Sequence, residues 1–116
     1  MKEVTSQFAG IIRSARFDTE QASGQKIVER CELVLIDGSR LVAYESRTGT
    51  KFKYSYQWMN EANQTIYRWD NTTHFPQFNT FPYHRHIGEA EIAEPFQIVS
   101  LNEVLEFITD QLATSG

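Results

Sequence analysis

The three histidines of this chain, His74, His84 and His86, fall within a stretch of thirteen residues. If Tyr83–Ile87 is extended, the side chains of His84 and His86 point to the same side, because side chains alternate along a strand. Histidine titrates near pH ~6.5, so one imidazole can accept a proton while its neighbour donates one. The spacing therefore predicts acid–base chemistry, and it leaves open a His-x-His pair that simply lies on the surface.

The segment Arg68-Trp69-Asp70-Asn71 precedes the histidines and carries a second set of candidate groups. On a strand, Arg68 and Asp70 share one face. The guanidinium of Arg68 is a rigid fork of donors that suits a phosphate, and Asp70 can orient a histidine. The same residues also fit a structural role, in which Arg68 pairs with Asp70 and Asn71 forms a turn.

A metal ion is a third interpretation of the same residues. The spacing of His84 and His86 suits two ligands, with Asp70 or His74 as the third. A His-x-His pair lacks the specificity of a complete zinc pattern, so we assign no metal ligands from the sequence. The single cysteine, Cys31, is expected to be a buried strand residue without a chemical role.

The elements that position these residues are predicted to be strands. The clearest strand is Lys51–Met59, in which aromatic residues alternate with polar ones and form one apolar face. The aromatic residues are Phe52, Tyr54, Tyr56 and Trp58. They predict the core side of a sheet, although Tyr56 or Trp58 near the end of the strand could stack on a base. Further β-rich runs occupy residues 27–36, 40–47 and 65–70.

Two segments beside these strands are less regular. Phe8–Glu20 fits either a strand that pairs with the next one across Gln21–Gln25 or a short helix. From Asn71 to Gly88 the strand pattern stops, and a loop of this length in a compact domain is usually functional. Its three phenylalanines predict that the loop packs against the domain, because exposing all of them would create a costly apolar patch.

The C-terminal segment predicts an amphipathic helix. Ser100-Leu101-Asn102-Glu103 forms a capping box, and apolar residues follow at helical spacing. The sequence thus predicts an α+β fold, an antiparallel β-meander of four to five strands with a C-terminal amphipathic helix packed on one face. With 116 residues, the chain fits a single domain spanning residues 1–116.

Composition and charge limit the classes of function. No stretch approaches the ~20 apolar residues of a membrane span, and the first residues lack the apolar run of a signal peptide. With one cysteine, and so no internal disulfide, we expect a cytoplasmic protein without a membrane partner. The net charge of −4 argues against a nucleic-acid binder on electrostatics alone. Residues 40–58, however, hold four basic residues against one acidic residue, so a phosphate-binding face is permitted.

Three segments follow one another in a characteristic order. They are Tyr54-Ser55-Tyr56-Gln57-Trp58, Tyr67-Arg68-Trp69-Asp70-Asn71 and Phe81-Pro82-Tyr83-His84-Arg85-His86. This arrangement resembles the TumE-type toxin family of bacterial toxin–antitoxin systems, and the resemblance covers about residues 25 to 113. His74 also matches the family pattern, whereas members often carry a further histidine where this chain has Tyr83.

The resemblance implies a growth-inhibiting toxin that acts as a metal-independent endoribonuclease and needs no cofactor. In that reaction a base deprotonates the RNA 2′-hydroxyl, an acid protonates the leaving 5′-oxygen, and a cation stabilises the phosphate. His84 and His86 would transfer the protons, with His74 in reserve. Arg68 would stabilise the phosphate, and Asp70 and Asn71 would orient these groups. The expected RNA-binding residues are Lys51, Lys53, Tyr56, Asn71 and Arg85.

The expected partners are an RNA substrate, a cognate antitoxin protein and, as an option, a second copy of the chain. Two other functions stay open, a metal-dependent hydrolase that uses the His-x-His segment and a non-catalytic protein-binding partner whose 71–88 loop is an interface. For a nuclease, we expect Arg68, Asp70, His84 and His86 to converge on one solvent-accessible cleft.

Overall fold

The computed structural model describes residues 1–21 and 24–115. A short helix, α1 (Lys2–Ser6), and one 3₁₀ turn (Ala9–Ile11) come first. Seven strands and a longer helix follow: β1 (Ile12–Gln21), β2 (Ile27–Leu35), β3 (Arg40–Thr48), β4 (Lys51–Met59), β5 (Thr65–Asp70), β6 (His84–Ile87), β7 (Ile92–Pro95) and α2 (Leu101–Ser115). The connection expected at Gln21–Gln25 lies partly outside the described residues.

The seven strands form one antiparallel sheet in which each strand pairs with its neighbour in sequence. This order confirms the predicted antiparallel meander with a C-terminal helix, but the predicted count of four to five strands was too low. β2, β3, β4 and β5 are the four predicted runs. The segment Phe8–Glu20, for which the sequence allowed either a strand or a helix, contains most of β1. β6 and β7 have only four residues each, which is too few to show a periodic pattern.

The hydrophobic core lies between α2 and one face of the sheet. Leu41 on β3 and Leu105 on α2 have no exposed surface. The predicted aromatic face of β4 contributes Tyr56, which is 1% exposed. Phe107 of α2 packs edge-on against Trp69 of β5, with the ring centroids 5.6 Å apart. Because strand side chains alternate, the other face of the sheet is left for the polar residues of β5 and β6.

The loop between β5 and β6, residues 71–83, covers part of that second face. Three backbone hydrogen bonds fold it into successive turns, including Phe78 N to Phe75 O at 3.1 Å. The rings of Phe75 and Phe78 stack with their centroids 5.1 Å apart, and Phe75 also contacts His84. The predicted packing of the loop therefore holds for Phe75 and Phe78, whereas Phe81 is 43% exposed. No helix among the described residues is long and apolar enough to cross a membrane.

Candidate functional site

The pairing of β5 with β6 brings four of the predicted catalytic residues onto one face of the sheet. Arg68 pairs with His86, and Asp70 pairs with His84. Residues directly opposite one another share a face, as do residues two positions apart on one strand. The four side chains therefore form one cluster on the face opposite α2.

Asp70 is at the centre of this cluster. Its Oδ1 lies 2.7 Å from Nε2 of His84, and its Oδ2 lies 3.5 Å from Nε2 of His86. Nε of Arg68 is 3.4 Å from the same Oδ2. The backbone N–H and the hydroxyl of Thr72 donate to Oδ1 at 3.1 and 2.9 Å. One carboxylate thus connects the arginine to both imidazoles and is itself held by the start of the 71–83 loop.

The two imidazoles are oriented by backbone carbonyls. Nδ1 of His84 lies 3.0 Å from the carbonyl oxygen of Pro82, and Nδ1 of His86 lies 3.1 Å from that of Glu91. A carbonyl oxygen only accepts, so each Nδ1 carries a proton and donates it. In both rings the second nitrogen, Nε2, is therefore the one that faces Asp70.

Glu91 completes the cluster from the turn between β6 and β7. Its Oε1 lies 3.0 Å from Nη1 of Arg68, while its backbone carbonyl accepts from His86. Its φ of 50° is in the left-handed region, which non-glycine residues seldom adopt and which is enriched at functional sites. Glu91 is therefore held in an uncommon backbone conformation that lets it contact both Arg68 and His86.

Several polar atoms of the cluster lie near a partner without forming a hydrogen bond. Among the described residues, Nε of Arg68, Nε2 of His84 and Oε1 of Glu91 are buried and have no hydrogen-bond partner. Nε2 of His84 approaches Oδ1 of Asp70 to 2.7 Å without forming a hydrogen bond. Buried polar atoms are rarely left unpaired, so these atoms are suited to receiving a ligand.

The cluster is largely enclosed and opens at one end. His84 is 1% exposed and Asp70 is 4% exposed. The ring of Phe75 covers both imidazoles, with centroid distances of 4.7 Å to His84 and 5.9 Å to His86. The side chains of Arg68 and Glu91 remain 30% and 37% exposed. The expected residues do converge, and Arg68 and Glu91 have the largest exposed surface among the described residues of the cluster.

The other predicted site residues lie outside this cluster. Lys51 and Lys53 are exposed on β4, and Lys53 is on the cluster face, two residues from the partner of Asp70. His74 is exposed on the loop. Asn71 supports β4 instead, accepting from Tyr54 N and donating to Phe52 O.

Tyr56 and Arg85 lie on the face that α2 covers. The hydroxyl of Tyr56 donates to Glu45 at 2.7 Å, and burial together with this bond raises the pKa of Tyr56. Arg85 pairs with Glu94 and stacks on the rings of Tyr67 and Phe96. The side chains of both residues pack on the core side of the sheet, opposite the side chains of the histidines.

Sequence reasoning missed Glu91 and Thr72. Glu91 enters the cluster only because β6 and β7 form a hairpin, and two four-residue strands give no periodic signal. Thr72 follows Asp70 by two residues, which is the spacing of an Asx turn. Its contact with Asp70 could therefore have been predicted from the sequence.

A metal ion is compatible with part of the cluster. Asp70, His84 and His86 each offer one donor atom, and these atoms all lie within 4.8 Å of one another.

The chain matches a known protein family. The family model described as Toxin TumE matches residues 1–112, which include every strand and most of α2. No curated protein and no solved structure matches the chain. Because the match spans nearly the whole chain, the chain belongs to the TumE toxin family.

Proposed function

We propose that this TumE-family toxin is an endoribonuclease and that the cluster around Asp70 is its active site. The family implies an antitoxin as the partner protein. The observation that carries the proposal is the convergence of Arg68, Asp70 and His86 on one sheet face, with the open end of the cluster at Arg68. RNA in the cytoplasm would be the substrate, and no cofactor takes part in the reaction.

Arg68 would bind the scissile phosphate at the open end. Its side chain is 30% exposed, and a planar fork of donors matches two phosphate oxygens. It would stabilise the charge that builds up on the phosphate as the RNA 2′-hydroxyl attacks. Asp70 and Glu91 hold this guanidinium from two sides, which fixes its direction before substrate arrives.

His86 and Glu91 would transfer the two protons. His86 is paired with Arg68 across the sheet and is the less buried of the two histidines, at 7% exposed, and Glu91 contacts the Arg68 guanidinium. One would take the proton of the 2′-hydroxyl, and the other would protonate the leaving 5′-oxygen. His84 is too deeply buried to touch a substrate, so in this mechanism it acts as a positioning residue that orients Asp70.

Lys53 supports a path for the RNA beside the cluster. It is exposed and shares the cluster face on β4, and Lys51 is exposed two residues away. Lysines in such a row would neutralise backbone phosphates on either side of the cleaved bond. Tyr56 and Arg85 are not part of this proposed RNA path, because they lie on the face of the sheet that α2 covers.

Growth of bacteria that express the chain without its antitoxin tests this proposal. The parent is expected to arrest growth, and His86→Ala is expected to relieve the arrest, because removing a proton-transfer group typically lowers the rate by about 10²–10⁴. His84→Ala should also relieve the arrest, because Asp70 would lose the residue that orients it. His74→Ala is the matched control, since His74 is exposed outside the cluster and takes no part in the proposed mechanism.

The melting temperature of each purified variant shows whether it is folded. A folded His86→Ala variant that is as toxic as the parent would remove His86 from the mechanism.

A further inference from the structure

We propose that Asp70, His84 and His86 also form a binding site for a divalent transition metal of the Zn²⁺ class, and that the bound metal inhibits the toxin. The regulatory half of this inference rests on the proposed nuclease function, whereas metal binding itself does not. The donor atoms are Nε2 of both imidazoles and a carboxylate oxygen, all within 4.8 Å of one another.

The spacing of these atoms suits tetrahedral coordination. Zinc binds imidazole nitrogen and carboxylate oxygen at about 2.0–2.2 Å, which places neighbouring ligand atoms roughly 3.3–3.5 Å apart. Nε2 of His84 lies 2.7 Å from Oδ1 of Asp70, and Nε2 of His86 lies 3.5 Å from Oδ2 of the same carboxylate. Since no two of the three donor atoms are more than 4.8 Å apart, a change of at most about 1.5 Å in their separations would bring all three to one ion.

The imidazoles are already oriented as metal-binding histidines are. In such sites the ring nitrogen that does not bind the metal donates to a carbonyl or a carboxylate, which fixes the tautomer. Here Nδ1 of His84 donates to Pro82 O and Nδ1 of His86 donates to Glu91 O. When the ring is neutral, Nε2 presents a lone pair to the carboxylate of Asp70, and a cation between them removes the repulsion.

Nε2 of His84 is a second, independent observation that points to a ligand. It is buried, lacks a hydrogen-bond partner among the described residues, and is directed at the carboxylate of Asp70. A purely structural ion pair would be expected to close a directed hydrogen bond at 2.7 Å. The observed contact is short but poorly aligned, as expected for two ligands that converge on a shared third atom.

The charges of the cluster indicate which metal ions and further ligands fit. Asp70 and Glu91 contribute two negative charges and Arg68 one positive charge, so with neutral imidazoles the cluster has a net charge of −1. A divalent ion changes this to +1, which favours an anion such as hydroxide or phosphate as the fourth ligand. Two imidazoles and a carboxylate favour Zn²⁺ over Mg²⁺, which prefers oxygen ligands.

Metal binding would block the proposed reaction directly. A metal on Nε2 of His86 occupies the lone pair that must accept or release a proton. The ion would enter from the end where Arg68 and Glu91 are exposed. Zinc would therefore keep the toxin inactive until the metal is removed.

The test uses the untagged full chain, stripped of metal and then dialysed against Zn²⁺, with bound metal measured by elemental analysis. We expect one Zn²⁺ per chain in the parent and in His74→Ala, the surface-histidine control. His84→Ala should bind at least about tenfold more weakly, because a ligand is lost. Replacing Zn²⁺ with Co²⁺ should give the intense visible absorption of a four-coordinate site, a readout that needs no variant.

Failure of the parent to bind Zn²⁺ or to show that absorption would overturn the site, as would full binding by folded His84→Ala.

The same protein is then assayed for RNA cleavage with excess chelator and with Zn²⁺. Cleavage in chelator that Zn²⁺ suppresses supports the inference. Cleavage that requires Zn²⁺ would overturn both the inhibitory role and the metal-independent mechanism. Cleavage in chelator by a chain that binds no Zn²⁺ would overturn the inference alone.

Discussion

Asp70 contacts Arg68, His84 and His86 through a carboxylate whose residue is only 4% exposed. Buried charges are tolerated in proteins when they are paired and hydrogen-bonded. Thr72 supplies two hydrogen bonds, and Arg68 supplies the opposite charge. The same residue is therefore needed for folding and for the proposed chemistry.

Asp70→Asn is predicted to destabilise the protein. Removing one partner of a buried ion pair costs about 3–5 kcal/mol, and we expect the lower end because Arg68 can turn toward solvent. Urea denaturation of parent and variant measures the change in the free energy of unfolding. Asp110→Asn on the exposed side of α2 is the control and should change little. Equal stability of Asp70→Asn and the parent would mean that the carboxylate is not an essential counter-ion.

The side-chain alternation of strands made part of the cluster predictable. Arg68 and Asp70 are two residues apart, as are His84 and His86, so each pair was expected to share a face. The same alternation places Arg85, which lies between the histidines, on the opposite face. Glu91 could not be found in this way, because its place depends on a hairpin that four-residue strands do not reveal.

At the scale of elements, α2 is the part of the fold that the local sequence pattern predicts best. The backbone N–H of Ser100 donates to the Glu103 carboxylate at 3.1 Å, and the Glu103 N–H donates to the Ser100 hydroxyl at 3.2 Å. This reciprocal pair is the predicted capping box. It fixes the start of the helix whose residues Val104, Leu105 and Ile108 cover the sheet.

Ser100→Ala is predicted to lower the free energy of unfolding by about 1 kcal/mol, since one helix N–H loses its capping acceptor. Chemical denaturation of the parent and the variant measures the difference. Ser14→Ala, at an exposed serine of β1, is a matched control that should be nearly neutral. If the two substitutions have the same effect, the cap does not stabilise the helix.

The elements that the sequence did not predict are those that depend on tertiary contacts. β6 and β7 have too few residues for a periodic pattern, and they form because β5 offers a free edge to pair with. The 71–83 loop lacks any repeat, and Phe75 and Phe78 hold it against the histidines.

At the scale of the whole molecule, the sheet separates two environments. One face carries the aromatic and aliphatic core with Cys31, Tyr54 and Tyr56, and the other carries the charged cluster. Burial raises the pKa of the Cys31 thiol to about 11 and that of Tyr54 to about 12. The core face therefore favours the neutral forms of these groups.

The raised pKa of the Cys31 thiol predicts that the free energy of unfolding falls at alkaline pH. The native thiol stays protonated where the unfolded thiol, with a pKa near 9.0, already ionises. Its contribution to stability is thus fully present below pH 9 and is lost progressively as the pH rises toward 11. The free energy of unfolding should fall across this range more steeply for the parent than for Cys31→Ala. Parallel pH profiles would show that folding does not raise the pKa of the Cys31 thiol.

RNA cleavage by the purified chain in excess chelator tests the proposed active site most directly. The products should carry 2′,3′-cyclic phosphate ends, because the 2′-hydroxyl of the RNA is the nucleophile. His86→Ala should form these ends about 10²–10⁴ times more slowly while remaining folded, and His74→Ala should match the parent. Absence of cyclic phosphate ends from the parent's products, or equal rates for the parent and folded His86→Ala, would contradict the proposal.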